Sequence, residues 1–244
     1  MGPRMSEDAP QAPAPPSFRK STAREYLESV VVAVILALFI RTFAVQAFKI
    51  PTGSMETNLL IGDHLLVNKL VYSPSFGPLE ADLLGKKEVA RGHVVVFKYP
   101  TEPWRDFIKR VIGLPGETVE IRNKQVFIDG KALDEPYVHF LRPPLKPGDA
   151  EFGLRMEGSG DDMAPKRVPD GYLFVMGDNR DNSRDSRSWG FLPRDQVKGR
   201  ALLVYWSYEA SRDEYHRTGF VEWVRDTLTA FGRTRWSRFF HLIR

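Results

Sequence analysis

The sequence predicts a mainly β domain held behind one N-terminal transmembrane helix and followed by a basic amphipathic helix. Three observations predict this. Residues 26–48, YLESVVVAVILALFIRTFAVQAF, form a long apolar run. Between residues 93 and 208, short runs rich in β-branched and aromatic side chains alternate with Gly, Pro, Asn and Asp. Beyond residue 209, apolar residues recur near helical spacing among arginines.

With 244 residues, 42% of them hydrophobic and 27% charged, the chain has material for one substantial core and is neither disordered overall nor collagen-like. It has no cysteine, which excludes disulfides, thiolate metal sites and a cysteine nucleophile. Seryl, carboxylate or lysine chemistry remains. The net charge of +4 is too small to argue for a nucleic-acid partner.

Residues 1–22 read as a disordered cytoplasmic tail, rich in Pro and Ala without apolar periodicity. Ser17 and Lys20 stand there in an S-x-x-K spacing, but an unstructured tail cannot hold a catalytic pair. Residues 23–48 are expected to be the transmembrane helix, since about 20 residues span the ~30 Å hydrocarbon layer. The charge-free core, Ser29 to Ile40, is shorter, so Glu28 and Arg41 must reach toward headgroups. A cleaved secretory leader is the rival reading, because Val45 and Ala47 form a small-residue cleavage pattern; a buried soluble helix is a third. Arg19, Lys20 and Arg24 precede the span and only Lys49 follows closely, which places the N-terminus in the cytoplasm. Residues 49–208 then form an extracytoplasmic domain.

Its strands are expected at HVVVFKY (93–99), DFIKRVI (106–112), TVEIRN (118–123), QVFIDG (125–130), GYLFVMGD (171–178) and ALLVYWSY (201–208), with a hairpin turn at Asn123 and Lys124. Residues 139–170, rich in Pro, Gly and Asp, read as an irregular or hairpin insertion. No internal repeat of 20–50 residues is visible. In 209–244, Phe220, Val221, Trp223, Val224, Leu228 and Phe231 precede Arg233, Arg235 and Arg238, which lie among Trp236, Phe239 and Phe240. A helix of that composition lies in a membrane interface or packs on the domain.

Three stretches carry candidate chemistry. KIPTGSMETNLLIGDHLLVNK (49–69) puts Ser54 between Gly53 and an exposed Met55, with Thr52 two positions back on the same side of an extended segment. One hydroxyl would attack while the other donates to an oxyanion. No histidine stands in a triad signature, so a base has to come from elsewhere. In DFIKRVIGLPGE, strand alternation puts Lys109 with Phe107 and Val111, opposite Ile108, Arg110 and Ile112. Desolvation there would lower the lysine from about 10.4 toward neutrality. An ammonium that snorkels from a strand edge is the other reading of the same pattern, and Arg110 cannot serve as the base because a guanidinium stays protonated. The third stretch, MGDNRDNSRDSRSWGFLP (176–193), superficially resembles a calcium loop but lacks its central Gly and terminal Glu. Its hydroxyls offer to orient a lysine, and Asp185 with Arg187 offers a bracing ion pair; a plain polar turn is the alternative.

Taken in order behind one span, PTGSM, IGDHLLVNK, KRVIGLPGE and GDNRDNSRDSRSWGFLP resemble the type I signal peptidases, the bacterial leader peptidases, from about Arg24 to Tyr208. The resemblance implies an antiparallel, barrel-like β fold and a Ser-Lys endopeptidase of the bacterial plasma membrane that needs no metal or cofactor. By motif match it implies Ser54 as nucleophile and Lys109 as general base. Ser183 would orient the lysine, and Thr52 with the Ser54 N–H would form the oxyanion hole. Asp185 and Arg187 match the family's structural pair, and Met55 its methionine beside the nucleophile; next to an anchor, Met55 is expected at a membrane-facing or substrate-facing rim. Preprotein signal peptides, membrane lipid and the secretion translocon are the partners implied. Glu56 and Thr57 depart from the family's pattern, which leaves substrate contacts there open. A maturation peptidase of the same class with one dedicated substrate, or an inactive membrane-anchored β scaffold, are the alternatives.

Overall fold

The structure is a computed structural model that describes residues 22–70, 72, 88–144, 162–210 and 232–243. The chain divides into two compact units, Met1–Ile40 and Arg41–Arg244.

The described part of the first unit is helix α1 (Thr22–Phe39), 18 residues long, which continues into a π-helical turn at Ile40–Ala44. Its apolar side chains, among them Val30, Val32, Ile35, Leu36 and Phe39, are exposed. At 1.5 Å per residue an 18-residue helix rises about 27 Å, and no helix among the described residues is long and apolar enough to cross a membrane. The helix expected over 23–48 therefore stops early. Val45–Lys49 is extended instead (β1) and pairs antiparallel with β2 (Asp63–Asn68), Phe48 opposite Leu65 and Lys49 opposite His64. Packing of the partly buried Phe48 against the core that contains Ile50, Leu65 and Val204 explains the change from helix to strand: a strand edge with an apolar partner outweighs the helical propensity of a short tail.

The described residues of the second unit are mainly β. Further strands are β3 (Val94–Tyr99), β4 (Glu102–Gly113), β5 (Thr118–Arg122), β6 (Gln125–Ile128), β7 (Lys131–Ala132) and β8 (Met163–Arg167). β9 (Tyr172–Met176), β10 (Leu192–Pro193), β11 (Val197–Ser207) and β12 (His241–Leu242) complete the set. The larger sheet runs β1-β2-β11-β3-β4-β9-β10, with β12 paired to β11, and the smaller runs β7-β6-β5-β8. All pairings between these strands are antiparallel. The expected barrel does not close. β1 and β10 are the two ends of the larger sheet, and β10 has only two residues, one of them a proline without an N–H to donate.

The larger sheet is buried on both faces, which explains why its central strands read as continuous apolar runs. Val94 and Val96 belong to a core with Ile50, Met55, Leu59, Leu65 and Val204; Val95 and Phe97 belong to another with Val111, Leu173 and Val175. A third core, around Ile112, Val119, Val126 and Phe174, joins the two sheets. The turn at Asn123–Lys124 has φ of 46° and 68°, the left-handed pair of a two-residue hairpin. Asn is at ease there, whereas Lys124 is held by ion pairing to Asp181.

Within the expected insertion, residues 145–161 lie outside the described residues, and 163–167 are strand β8 on the edge of the smaller sheet. In the C-terminal segment, residues 211–231, which include Phe220 to Phe231, lie outside the described residues as well. Residues 232–243 are not helical apart from one 3-10 turn at Trp236–Arg238. Two interactions draw them onto the domain: Arg238 grips the buried Asp63 through both carboxylate oxygens (3.1 and 2.6 Å), and Ile243 enters the first core.

Candidate active site

The site grows from the loop that joins β1 to β2. Ile50 N donates to Asp63 O (2.9 Å) and Gly62 N to Ile50 O (3.1 Å), so the loop closes on itself before it opens outward. Within it, Gly53–Met55 form a single 3-10 turn. Met55 and Leu59 are driven into the core, both fully buried, and Leu59 N donates to Met55 O (2.8 Å). That anchoring presents the neighbouring Ser54, 7% exposed, away from the core that Met55 enters. It also corrects one expectation: Met55 is a core residue and cannot form a lipid-facing or substrate-facing rim. Thr52 flanks the turn in an extended conformation, exposed, and its hydroxyl does not cap the turn.

Opposite stands β4. Its register on β3 sets Lys109 against Val95 and Arg110 against Val94. The Lys109 amine is buried and donates to Ser54 Oγ (2.8 Å) and to the Ile108 carbonyl (2.9 Å). Burial pushes this amine down from 10.5 to about 8; Asp185 and Asp178 hold it up against that trend, and Arg187 adds a little to the fall. The neutral amine is therefore a minor species near pH 7, but one far more populated than in an ordinary exposed lysine. Arg110, on the other face, is equally buried, and Asp178 meets its guanidinium in a fork, Nε to Oδ1 at 2.8 Å and Nη2 to Oδ2 at 2.7 Å. Its guanidinium also lies 3.9 Å from the centre of the Tyr137 ring.

The third wall is the loop after β9. Five ionic side chains in 178–187 form four ion pairs: Asp178 with Arg110, Arg180 with Glu135, Asp181 with Lys124, and Asp185 with Arg187. The carboxylates that mimic a calcium loop thus hold side-chain cations. Asp185 is fully buried and caps the short helix α2 (Ser186–Trp189) by accepting from Arg187 N (3.2 Å). Burial pushes its carboxyl up, but the fork from Arg187, the Gly177 N–H and the Ser183 hydroxyl nearby outweigh this and hold it below the ordinary carboxylate range. Ser183 Oγ itself is buried and makes no hydrogen bond of ordinary geometry. Lys109 Nζ is satisfied by Ser54 and Ile108, not by Ser183.

Two residues of this loop escaped the sequence reading. Gly177 is packed so closely that a Cβ there would lie 2.3 Å from Ser183 Oγ and 2.5 Å from the Ser54 carbonyl oxygen. Asn179, also buried, donates its backbone N–H to Ser54 O (3.1 Å) and its side-chain Nδ2 to Gly53 O (3.1 Å). The structure thus brings Ser54, Lys109 and the 177–187 loop together, sets Asp185 and Arg187 behind them, and leaves Thr52 at the open side. No signal within single segments marks Asn179 or the Arg110–Asp178 pair, because their partners are remote in sequence. A buried serine hydroxyl in contact with a lysine amine lowered by burial is an arrangement that can support acyl transfer.

The family described as signal peptidase, peptidase S26, matches residues 23–206. A signal peptidase I of Aquifex aeolicus (strain VF5) is 36% identical over 228 residues, covering 75% of this chain and 84% of that protein. A signal peptidase I of Pseudomonas aeruginosa PAO1 is 37% identical over 206 residues, covering 75% of this chain and 72% of its own length. A solved signal peptidase I structure from Enterococcus faecalis V583 covers 47% of this chain and 97% of its own, at 31% identity and a TM-score of 0.35; the fold rests on the strand pairing above, not on that superposition.

Proposed function

The chain belongs to the signal peptidase family, peptidase S26, and is a serine peptidase that cleaves signal peptides from preproteins; on that premise we propose that Ser54 is its nucleophile and Lys109 its general base. The observation that carries the proposal is the 2.8 Å bond between the buried Lys109 amine and Ser54 Oγ. The neutral amine takes the hydroxyl proton as Ser54 Oγ attacks the scissile carbonyl. The resulting oxyanion accepts from the Ser54 N–H and the Thr52 hydroxyl. As the C–N bond breaks, the Lys109 ammonium returns the proton to the departing amine and leaves an ester on Ser54. Water, deprotonated by the same amine, then hydrolyses the ester. Ser183 is the orienting hydroxyl of this scheme, supported by its burial without another partner and by its place across Gly177 from Ser54. Asp185 and Arg187 brace the loop that carries it.

The setting is a membrane surface. From Val30 to Phe39 helix α1 is apolar on every side and exposes those side chains, and the basic residues ahead of it favour a cytoplasmic N-terminus. The Arg24–Glu28 pair (2.9 Å) offsets the one acidic charge nearest its apolar stretch. Helix α1 alone falls short of a span, but the π-helical turn Ile40–Ala44 lengthens it; anchored through both in a bacterial plasma membrane, the catalytic unit lies outside the cytoplasm, within reach of lipid and of preproteins leaving the translocon. A preprotein-cleavage assay with wild type, Ser54→Ala and Lys109→Ala tests the chemistry: wild type alone should yield product, and equal product from all three rejects the dyad.

A further inference from the structure

We propose that Asn179 is a positioning residue that aims the oxyanion donor of Ser54, an inference that rests on the Ser54–Lys109 reading and deepens it. Ser54 lies between two peptide planes. The first contains the Gly53 carbonyl and the Ser54 N–H; the second contains the Ser54 carbonyl. Asn179 holds both, through Nδ2 on Gly53 O and its backbone N–H on Ser54 O, each at 3.1 Å.

A trans peptide is planar, and its C=O and N–H point in opposite directions. Fixing the Gly53 oxygen toward Asn179 therefore turns the Ser54 N–H away from Asn179. Fixing the second plane as well sets both dihedral angles at the Ser54 Cα, and with them the bond from which Oγ departs toward Lys109. One side chain and its own backbone thus coordinate the two groups that must act on one substrate carbonyl, the attacking oxygen and the hydrogen-bond donor for the oxyanion.

Three surrounding features make Asn179 rigid enough for this. It is buried, with 1% of its surface exposed. Its predecessor Asp178 is locked in the fork with Arg110, and Asn58 Nδ2 also donates to Asp178 Oδ2 (2.7 Å). Its backbone carbonyl accepts from Asn182 N (3.2 Å). Gly177 removes the side chain that would otherwise push the Ser54 carbonyl away from this clamp. The Gly53 oxygen has one other donor, Glu56 N, and that bond is longer at 3.3 Å. It closes the 3-10 turn locally and does not tie the turn to the rest of the site.

The test compares wild type, Asn179→Ala and Ser54→Ala in the full chain, with steady-state cleavage of a peptide substrate and two ligands. One ligand is a peptide aldehyde, whose carbonyl is attacked and develops an oxyanion; the other is the matching peptide with an unreactive reduced bond. Asn179→Ala should lower kcat by about 10- to 100-fold with KM within about twofold, since the lost aim is felt only when charge develops. Aldehyde affinity should fall by a similar factor and reduced-bond affinity should not. The acid limb of the pH profile, set by Lys109, should stay in place. Asn179→Ser, which keeps the backbone bond and cannot reach Gly53 O, should give the same pattern and answers the question should the alanine variant fail to fold. A wild-type kcat in either folded variant overturns the proposal, as does an equal loss for both ligands, which marks a general collapse of the cleft. Turnover retained by Ser54→Ala overturns the dyad reading instead.

Discussion

Replacing Lys109 by methionine removes a buried ammonium while keeping most of the side-chain volume, and its effect on stability follows from the burial of that amine. The fall from 10.5 to about 8, at about 1.36 kcal/mol per pH unit, is a penalty of about 3 kcal/mol on the charged form in the folded chain. Below pH 8 both folded and unfolded chains carry the proton and the penalty is felt in full. Between 8 and 10.5 the unfolded chain binds more protons than the folded one, so stability rises with pH, and above 10.5 the penalty is gone. By pH 10 most of it should have been recovered. Against this, methionine forfeits the bonds to Ser54 Oγ and Ile108 O, roughly 1 kcal/mol each. Lys109→Met should therefore be more stable than wild type by about 1 kcal/mol at pH 7 and less stable by a similar amount at pH 10, with turnover lost at both. Urea unfolding followed by tryptophan fluorescence at the two pH values measures the difference directly. A stability difference that does not move with pH would show that the amine is not desolvated, and the reasoning from burial to basicity would fail.

Other expectations follow from the same geometry. Thr52→Val should reduce kcat by on the order of 10² to 10³ while Thr52→Ser largely preserves it; similar rates for the two variants remove Thr52 from the oxyanion hole. Gly177→Ala forces a methyl group to within 2.5 Å of the Ser54 backbone oxygen. The resulting displacement should lower turnover by roughly 10²-fold, and unaltered kinetics would mean the backbone accommodates a Cβ that the structure excludes. Asp178→Ala leaves Arg110 buried without its carboxylate and should destabilise the fold by about 3 to 5 kcal/mol. A urea midpoint close to wild type would show that Arg110 finds another partner.

The legible parts of the molecule are those whose information is local. The alternation around Lys109 correctly separates it from Arg110, and the apolar runs at 93–99, 106–112, 118–123, 125–130, 171–178 and 201–208 coincide with β3, β4, β5, β6, β9 and β11. The turn at Asn123–Lys124 is visible for the same reason. What escapes is set by distant partners. Val45–Lys49 continues an apolar helical run in sequence, and only pairing with Asp63–Asn68 makes it a strand. Met55 looks exposed next to a reactive serine, yet its side chain fills the space between Ile50, Leu59 and Leu65. Arg238 reads as a membrane-seeking cation until Asp63 captures it. In the polar loop the sequence displays an abundance of charge but not its pairing, because Arg110, Lys124 and Glu135 arrive from other strands and turns. The Asn179 clamp is hidden for the same reason: both oxygens it holds lie more than a hundred residues earlier in the chain.

The most direct test is the titration of the Lys109 amine itself, followed by its side-chain 13C resonance in specifically labelled protein, with Lys109→Met to assign the signal. A midpoint near 8, coincident with the acid limb of the cleavage rate and absent from the rate of any residual hydrolysis in Ser54→Ala, is the predicted result. A midpoint near that of an ordinary exposed lysine, about 10.4, would contradict it.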